Sequence, residues 1–200
     1  MGFKNLLAPM LICSFAFGIT VSEIDTTTGT KLEKVLTILQ DNTTNTEAKS
    51  QKVFTIFDEL FDFEQMAKNC LGKAQWDTLS AAQKDEFLTK FVKRLKESYA
   101  DKLKLYTNQK IELEKSTQTS PTRVQLPMFL LGSDNKKYDV LYKFYDTKKE
   151  KGWLIYDVDI LGVSITQTYR SQLDGALKSG TFEDLIRKID SISLDEQIQK

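Results

Sequence analysis

Residues 137–160, which read KYDVLYKFYDTKKEKGWLIYDVDI, indicate how this chain folds. On both sides of the charged segment Lys148–Gly152, apolar or aromatic side chains occupy every second position. A period of two residues is typical of a β-strand with one buried face, and a short charged segment between two such runs is typical of a hairpin. The stretch therefore predicts two antiparallel strands, the second of which covers Trp153–Ile160.

Two further strands are predicted upstream of this hairpin. Alternation of the same kind begins at Ile111 and recurs over residues 123–130, and residues 132–135 (GSDN) have the composition of a turn. Pro127 lacks a backbone N–H, so it predicts an edge position or a bulge. Together these runs predict a four-stranded antiparallel sheet.

Helical periodicity flanks the predicted sheet on both sides. Apolar side chains recur at helical spacing within residues 29–40, 44–61, 62–72 and 80–106, and again within 165–180 and 181–189. Two capping boxes are predicted, one from Thr44 with Glu47 and one from Ser80 with Gln83. Asp62 predicts the start of a helix and Gly72 its end, and Trp76 is expected in the link that follows. The order of helices, strands and helices predicts an α+β fold with helices packed on one face of the sheet.

The first 22 residues have the layout of a secretory signal peptide. Lys4 precedes an uncharged apolar run, Leu6–Ile19, which is short for a membrane span and is followed by small residues. We expect residues 1–22 to be the signal peptide, with cleavage after Gly18 or Ser22, and an uncleaved anchor is the alternative. The folded domain is then expected over 23–192, with a frayed tail at 193–200.

Composition excludes several classes of protein. The chain holds 28 basic and 28 acidic residues, and loss of Lys4 with the leader leaves 27 against 28, a net charge of −1 that does not favour nucleic acid. No histidine is present, which removes histidine-based nucleophile pairs and metal sites. Outside the leader, Cys70 is the sole cysteine and is interpreted as a small buried apolar residue. No spacing of the acidic residues matches a calcium loop, so we expect no metal.

Asp157 and Asp159 are the strongest candidates for catalysis. Their spacing places both carboxylates on one face of a strand, and paired carboxylates can perform general acid and base chemistry. The alternative interpretation is that they line the polar face of the last strand and bond to the following turn. Spacing leaves both interpretations open, as it leaves open whether the apolar faces fill a core or enclose a cavity.

Two blocks of sequence resemble a known family. The first joins Trp153–Ser164 (WLIYDVDILGVS) to Tyr169–Leu173 (YRSQL), and the second runs from Phe61 through Leu71-Gly72, Trp76 and Leu79–Gln83 to Tyr106. Their order and spacing over about residues 30–190 are similar to the MlaC family of periplasmic phospholipid-binding proteins, also called the toluene-tolerance family. The basic cluster of that family before Leu-Gly is replaced here by Lys68-Asn69-Cys70.

The resemblance implies a domain of the nuclear-transport-factor-2 shape with a deep apolar cavity between a curved sheet and the helices. It implies a phospholipid carrier without a cofactor or a catalytic step. This carrier shuttles between an inner-membrane MlaFEDB-type transporter and an outer-membrane MlaA-type complex to maintain outer-membrane lipid asymmetry. We expect a periplasmic monomer.

Candidate lipid-binding residues follow from the apolar faces together with the resemblance. They are Val124, Leu126, Met128, Val140, Tyr142, Leu154, Tyr156 and Val158 from the strands, with Phe87 and Phe91 from the long helix. Tyr169 and Arg170 are assigned to the rim of the cavity or to holding a turn, with an ion pair from Arg170 to Asp157 or Asp159 as the alternative. Two alternative functions remain: an enzyme on the same fold with Asp157 or Asp159 as general base and a tyrosine as donor, and a carrier of another apolar ligand such as a sterol-like molecule or a quinone.

Overall fold

A computed structural model describes residues 18–104, 109–132 and 136–192, and seven α-helices and six strands lie within these ranges. The helices are α1 (Ile24–Gln40), α2 (Thr46–Asp58), α3 (Phe63–Leu71), α4 (Lys73–Thr78), α5 (Ala81–Lys104), α6 (Ile165–Ser179) and α7 (Phe182–Asp190). The strands are β1 (Lys110–Leu113), β2 (Thr117–Ser120), β3 (Arg123–Leu131), β4 (Lys137–Asp146), β5 (Trp153–Ile160) and β6 (Val163–Ser164). The predicted α+β class is confirmed, but the sheet contains six strands rather than the predicted four.

Most predicted helix ends are confirmed, and two details are corrected. Asp62 accepts a hydrogen bond from the Gln65 N–H at 2.9 Å, and Ser80 and Gln83 bond reciprocally as a capping box. The cap of α2 is Asn45, which accepts from the Ala48 N–H at 2.9 Å, so the predicted Thr44 box is wrong. Trp76 does not lie in a link but in α4.

Gly72 separates α3 from α4. Its φ of +78° lies in the left-handed region, where a side chain on Cβ is disfavoured, and its N–H bonds to the Lys68 carbonyl. The helix therefore stops where the glycine predicted a stop.

The sheet is antiparallel, with the strand order β1-β3-β4-β5-β6, and β2 also pairs with β3. Strands β1 and β2 share one side of β3, and the register leaves Pro127 between them, with Leu113 opposite Met128 and Thr117 opposite Gln125. The carbonyl of Pro127 accepts the Glu114 N–H at 2.9 Å, but the proline has no N–H to donate. The outer strand is interrupted at this residue, which is the kind of irregularity that Pro127 predicted.

A β-bulge interrupts the pairing of β4 with β5. Lys143 pairs with Asp157, but the next pair is Phe144 with Ile155, so Tyr156 is the extra residue. An extra residue reverses which side chains point to each face along the rest of the strand. This bulge changes the composition of both faces of β5.

The free edge of β5 receives contacts from two distant segments. The Ile155 N–H donates to the Leu60 carbonyl at 2.7 Å, and the Asp62 N–H donates to the Ile155 carbonyl at 2.9 Å. Near the start of β5, the Trp153 N–H donates to the Ile19 carbonyl at 2.9 Å, and Ile19 forms a parallel bridge with Gly152. Residue 19 therefore belongs to the folded structure, although the predicted leader extends to residue 22.

The helices pack on the inner face of the sheet and on one another, with α3 against α6 and α7 against both α5 and α6. Cys70 lies fully buried in α3 within the main apolar core. Burial raises the pKa of its thiol well above the usual value, as expected of a buried apolar residue rather than a nucleophile. Predictions on residues 1–17, 105–108, 133–135 and 193–200, among them most of the leader, the GSDN turn and the tail, lie outside the described residues.

Candidate functional site

An apolar cavity lies between the helices and the inner face of the sheet. Its volume is about 730 Å³, within the range of roughly 300–1,000 Å³ that ligand pockets occupy. Helices α1, α2, α3 and α5, with the first residue of α6, form one wall, and strands β1, β3, β4 and β5 form the other. Periodicity could not distinguish a filled core from a cavity, and the structure shows a cavity.

Four of the ten predicted lipid-binding residues line this cavity. They are Met128, Val140, Tyr142 and Val158, from alternating positions of β3, β4 and β5. The Tyr142 hydroxyl lies 3.9 Å from the Met128 sulfur, and burial raises the pKa of Tyr142 to about 12. These four side chains therefore present a largely apolar surface, in which the Tyr142 hydroxyl is kept neutral.

Four other predicted residues lie in the closed part of the core. Val124, Leu126, Phe87 and Phe91 are each at most 1% exposed, and none is among the described residues that line the cavity. The rings of Phe87 and Phe91 stack with centroids 6.4 Å apart. These side chains close one end of the space between sheet and helices.

Leu154 and Tyr156 are corrected, because the bulge in β5 moves them off the inner face. Leu154 pairs with Tyr145, and Tyr156 packs edge-on against Tyr145 with ring centroids 5.8 Å apart. Arg123 lies over the Tyr156 ring at 5.0 Å. Ile155 is fully buried in the core and points inward. Strict alternation had predicted this orientation for its neighbours, Leu154 and Tyr156.

Tyr169 and Arg170 lie away from the cavity lining. Tyr169 is fully buried, with its ring edge-on to Phe91 at 5.1 Å, so it is a core residue rather than a rim residue. The Arg170 guanidinium covers Gly72 so closely that a Cβ there would lie 3.1 Å from its Nη2. Of the predicted roles, holding a turn fits Arg170.

Asp157 and Asp159 are held on the outer side of β5. Lys143 bonds to Asp157 at 3.1 Å and also to Asp159. Asp157 is 4% exposed and further accepts the Ser164 hydroxyl and the Thr166 N–H. Neither carboxylate lines the cavity, which removes the geometric basis for a general base acting on a bound ligand. The predicted ion pair with Arg170 is replaced by the pair with Lys143.

The partly buried ammonium of Lys143 remains charged in this cluster. Burial opposes its charge, but the hydrogen bond to Asp159 and the charge of Asp157 outweigh burial and raise the pKa of Lys143 above its usual value. One cation between two carboxylates is a structural ion cluster that holds the sheet to the start of α6.

One ionic pair in the cavity wall escaped the sequence analysis. Lys96 of α5 and Asp58 of α2 both line the cavity and bond to each other. The Lys96 ammonium also lies 5.6 Å from the ring centroids of both Phe54 and Phe63. The sequence signal that could have identified this site is a lysine beside the apolar stripe of α5, one residue after Leu95 and three before Tyr99.

The described residues provide neither a metal site nor a helix suited to a bilayer. Among them, no group of three His, Cys, Asp or Glu side chains is placed to hold a metal ion. Within the same ranges, no helix is both long enough and apolar enough to cross a membrane.

Comparisons with known proteins agree with the predicted resemblance. The family model described as MlaC protein matches residues 30–191. A solved phospholipid-binding protein from Ralstonia solanacearum, determined in complex with a phospholipid, is similar in fold, with a TM-score of 0.71 and 22% sequence identity. The match covers 88% of this chain and 98% of that chain. No curated protein matches the sequence.

Proposed function

The chain belongs to the MlaC family, and from this premise we propose that it is a periplasmic phospholipid carrier. In this proposal it moves lipid between an inner-membrane MlaFEDB-type transporter and an outer-membrane MlaA-type complex, which maintains outer-membrane lipid asymmetry. It acts as a monomer and performs no catalytic step. The observation that carries the proposal is the apolar cavity of about 730 Å³ between helices and sheet.

The energetics of lipid transfer favour a carrier with such a cavity. A diacyl lipid holds on the order of 30 methylenes, and each costs about 0.8 kcal/mol to expose to water. Crossing an aqueous compartment unaided is therefore prohibitively slow. Transfer from a bilayer into an apolar cavity exchanges one apolar environment for another, so the net cost can be small.

The comparison structure supports the same class of ligand. The Ralstonia protein holds a phospholipid, and its structural match to this chain covers 98% of the Ralstonia chain. The twelve candidate residues, ten for lipid binding and two for the rim or a turn, divide into three groups in this proposal. Met128, Val140, Tyr142 and Val158 contact acyl chains. Val124, Leu126, Phe87 and Phe91 support the floor of the cavity, while Leu154, Tyr156, Tyr169 and Arg170 stabilise the fold.

The test is to purify the protein without detergent and extract it for lipid mass spectrometry. We expect phospholipid in near-stoichiometric amount. Well-folded protein that yields no lipid would contradict the proposal, and stoichiometric recovery of a quinone or sterol-like molecule would assign a different apolar cargo.

A matched pair of variants links the lipid to the cavity. Val140→Trp places an indole in the cavity, whereas Leu141→Trp places the same group on the opposite face of β4. We expect the first variant to lose most of its bound lipid and the second to retain it. Equal lipid content in both folded variants would show that the lipid binds elsewhere.

The partner complexes require a separate measurement. Purified lipid-loaded protein is mixed with vesicles that contain the inner-membrane transporter or the outer-membrane complex, and transfer of labelled phospholipid is followed. We expect transfer only with vesicles that contain a partner complex, and transfer at the same rate to empty vesicles would contradict partner-directed docking.

A further inference from the structure

The Lys96–Asp58 pair is the one ionic pair among the described residues that line the cavity. Both side chains retain solvent contact, with 29% of the Lys96 side chain and 37% of the Asp58 side chain exposed. The rest of the wall nearby is apolar and includes Phe54, Phe57 and Phe63. The pair is therefore a charged, solvent-accessible point in an apolar wall, and a phospholipid needs such a point for its headgroup.

The position of the Lys96 ammonium is fixed from several directions. Phe54 and Phe63 each hold it at 5.6 Å through a cation–π contact, and Asp58 accepts one hydrogen bond from it. An ammonium group carries three N–H donors, so the bond to Asp58 leaves capacity for a second anionic acceptor. A phosphate diester that enters with its chains in the cavity meets a positioned cation.

Asp58 gives the site a second charge of opposite sign. It is the last residue of α2, where the negative end of the helix dipole also favours a cation. The neighbouring carboxylates have other partners, since Glu59 bonds to Lys31 and Asp62 accepts the Tyr145 hydroxyl. Asp58 bonds to Lys96 through Oδ2, and it is the one carboxylate among the described residues that line the cavity, so it is the acid placed to accept from a ligand there.

The two charges discriminate between headgroups. An anionic headgroup satisfies Lys96 but brings a net negative charge beside Asp58, which is unfavourable. A headgroup that carries a phosphate and a primary ammonium can pair with both side chains at once. A quaternary ammonium has no N–H to donate to Asp58, so the primary amine fits best.

We propose that Lys96 and Asp58 form a headgroup subsite, in which Lys96 binds the phosphate and Asp58 binds the ammonium of a zwitterionic phospholipid with a primary amine. This inference rests on the proposed phospholipid-carrier function and specifies the class of headgroup.

The experiment exposes detergent-free protein to an excess of vesicles. These vesicles contain equal amounts of phosphatidylethanolamine and phosphatidylglycerol with identical acyl chains. The protein is re-isolated, and its bound lipids are quantified by mass spectrometry. We expect enrichment of phosphatidylethanolamine by about two- to fivefold, the ratio that one partly exposed ion pair supports.

Three variants separate this subsite from its surroundings. Asp58→Asn removes the partner of the amine, so the bound lipid should shift toward phosphatidylglycerol, and Lys96→Gln should remove the preference. Glu59→Gln changes the adjacent carboxylate, which bonds to Lys31, and should leave the ratio unchanged. Thermal unfolding confirms that each variant is folded.

The outcomes separate the two proposals. A bound ratio equal to that of the vesicles, or equal shifts in Asp58→Asn and Glu59→Gln, would overturn the headgroup subsite while total phospholipid stays near stoichiometric. Absence of phospholipid from every folded variant would instead contradict the carrier function itself.

Discussion

The hydroxyl of Ser164 donates a hydrogen bond to Asp157 at 2.7 Å, and this contact ties β5 to the first turn of α6. The same carboxylate accepts the Thr166 N–H at 3.1 Å, near a helix N-terminus where negative charge is favoured. Asp157 therefore stabilises the junction of sheet and helix, and its chemistry is structural.

Removal of this carboxylate should destabilise the protein without altering the cavity. We expect Asp157→Ala to lower the free energy of unfolding by about 3 kcal/mol, because Ser164 and Thr166 lose a buried acceptor. Asp159→Ala leaves those bonds intact and should cost about 1 kcal/mol. Chemical denaturation measures both values, and equal losses in the two variants would contradict the assigned role of Asp157.

Removal of bound lipid should lower thermal stability. A ligand present at about 100 times its Kd stabilises the folded state by about 2.7 kcal/mol, which corresponds to roughly 5–10 °C in a protein of this size. We expect Tm to fall by that amount on delipidation and to recover on reloading, as measured by calorimetry. The Val140→Trp variant, whose cavity is filled, should show a smaller change, and an unchanged Tm in the parent would contradict lipid binding within the core.

Alkaline pH should destabilise the protein partly through Tyr142. Burial raises its pKa to about 12, from about 10 in an unfolded chain, so the folded state favours the neutral hydroxyl. The resulting stability is fully present below pH 10 and is lost as pH rises toward 12.

Replacement of the titrating hydroxyl tests this effect. In Tyr142→Phe, the loss of unfolding free energy between pH 10 and 12 should be less steep by up to about 1.4 kcal/mol per pH unit. Tyr138→Phe, which alters a tyrosine that is 40% exposed, is the matched control and should follow the parent. Identical slopes for the parent and Tyr142→Phe would show that this hydroxyl ionises equally well in the folded state.

The contacts of Ile19 bear on where the leader ends. Of the two expected cleavage positions, the one after Gly18 retains the bond from Trp153 to Ile19, whereas the one after Ser22 removes it. We expect the intact mass of the exported protein to correspond to a chain that still contains Ile19. A chain that begins at Glu23 should be less stable by about 1 kcal/mol, and equal stability would show that the bridge to Gly152 contributes nothing.

Much of the fold could be predicted because local signals and burial agree. The alternation around Val140 and Tyr142 assigned β4 correctly, and Asp62, Gly72 and Ser80 marked real helix ends. The α4 helix was missed because it is only six residues long, too short for periodicity to be visible.

The site was predicted less completely, for physical reasons. The bulge at Tyr156 depends on pairing with β4 and on contacts from Leu60 and Asp62, which are distant in sequence. Periodicity identifies which face is buried but not how far apart two layers stand, so it could not distinguish Val140 in the cavity wall from Phe91 in the closed core. The sequence did not identify Lys96 as a site residue because its partner, Asp58, lies on another helix.

The burial of Cys70 has a practical consequence for spectroscopy. Cys13 falls within the predicted leader, so the exported chain is expected to retain a single thiol, and that thiol is fully enclosed with a pKa well above its usual value. Maleimide and methanethiosulfonate reagents attack exposed thiolates, and they should pass over Cys70. A cysteine introduced beside Lys96 can then carry a fluorophore or spin label in an otherwise native background, which would report the arrival and departure of lipid in real time.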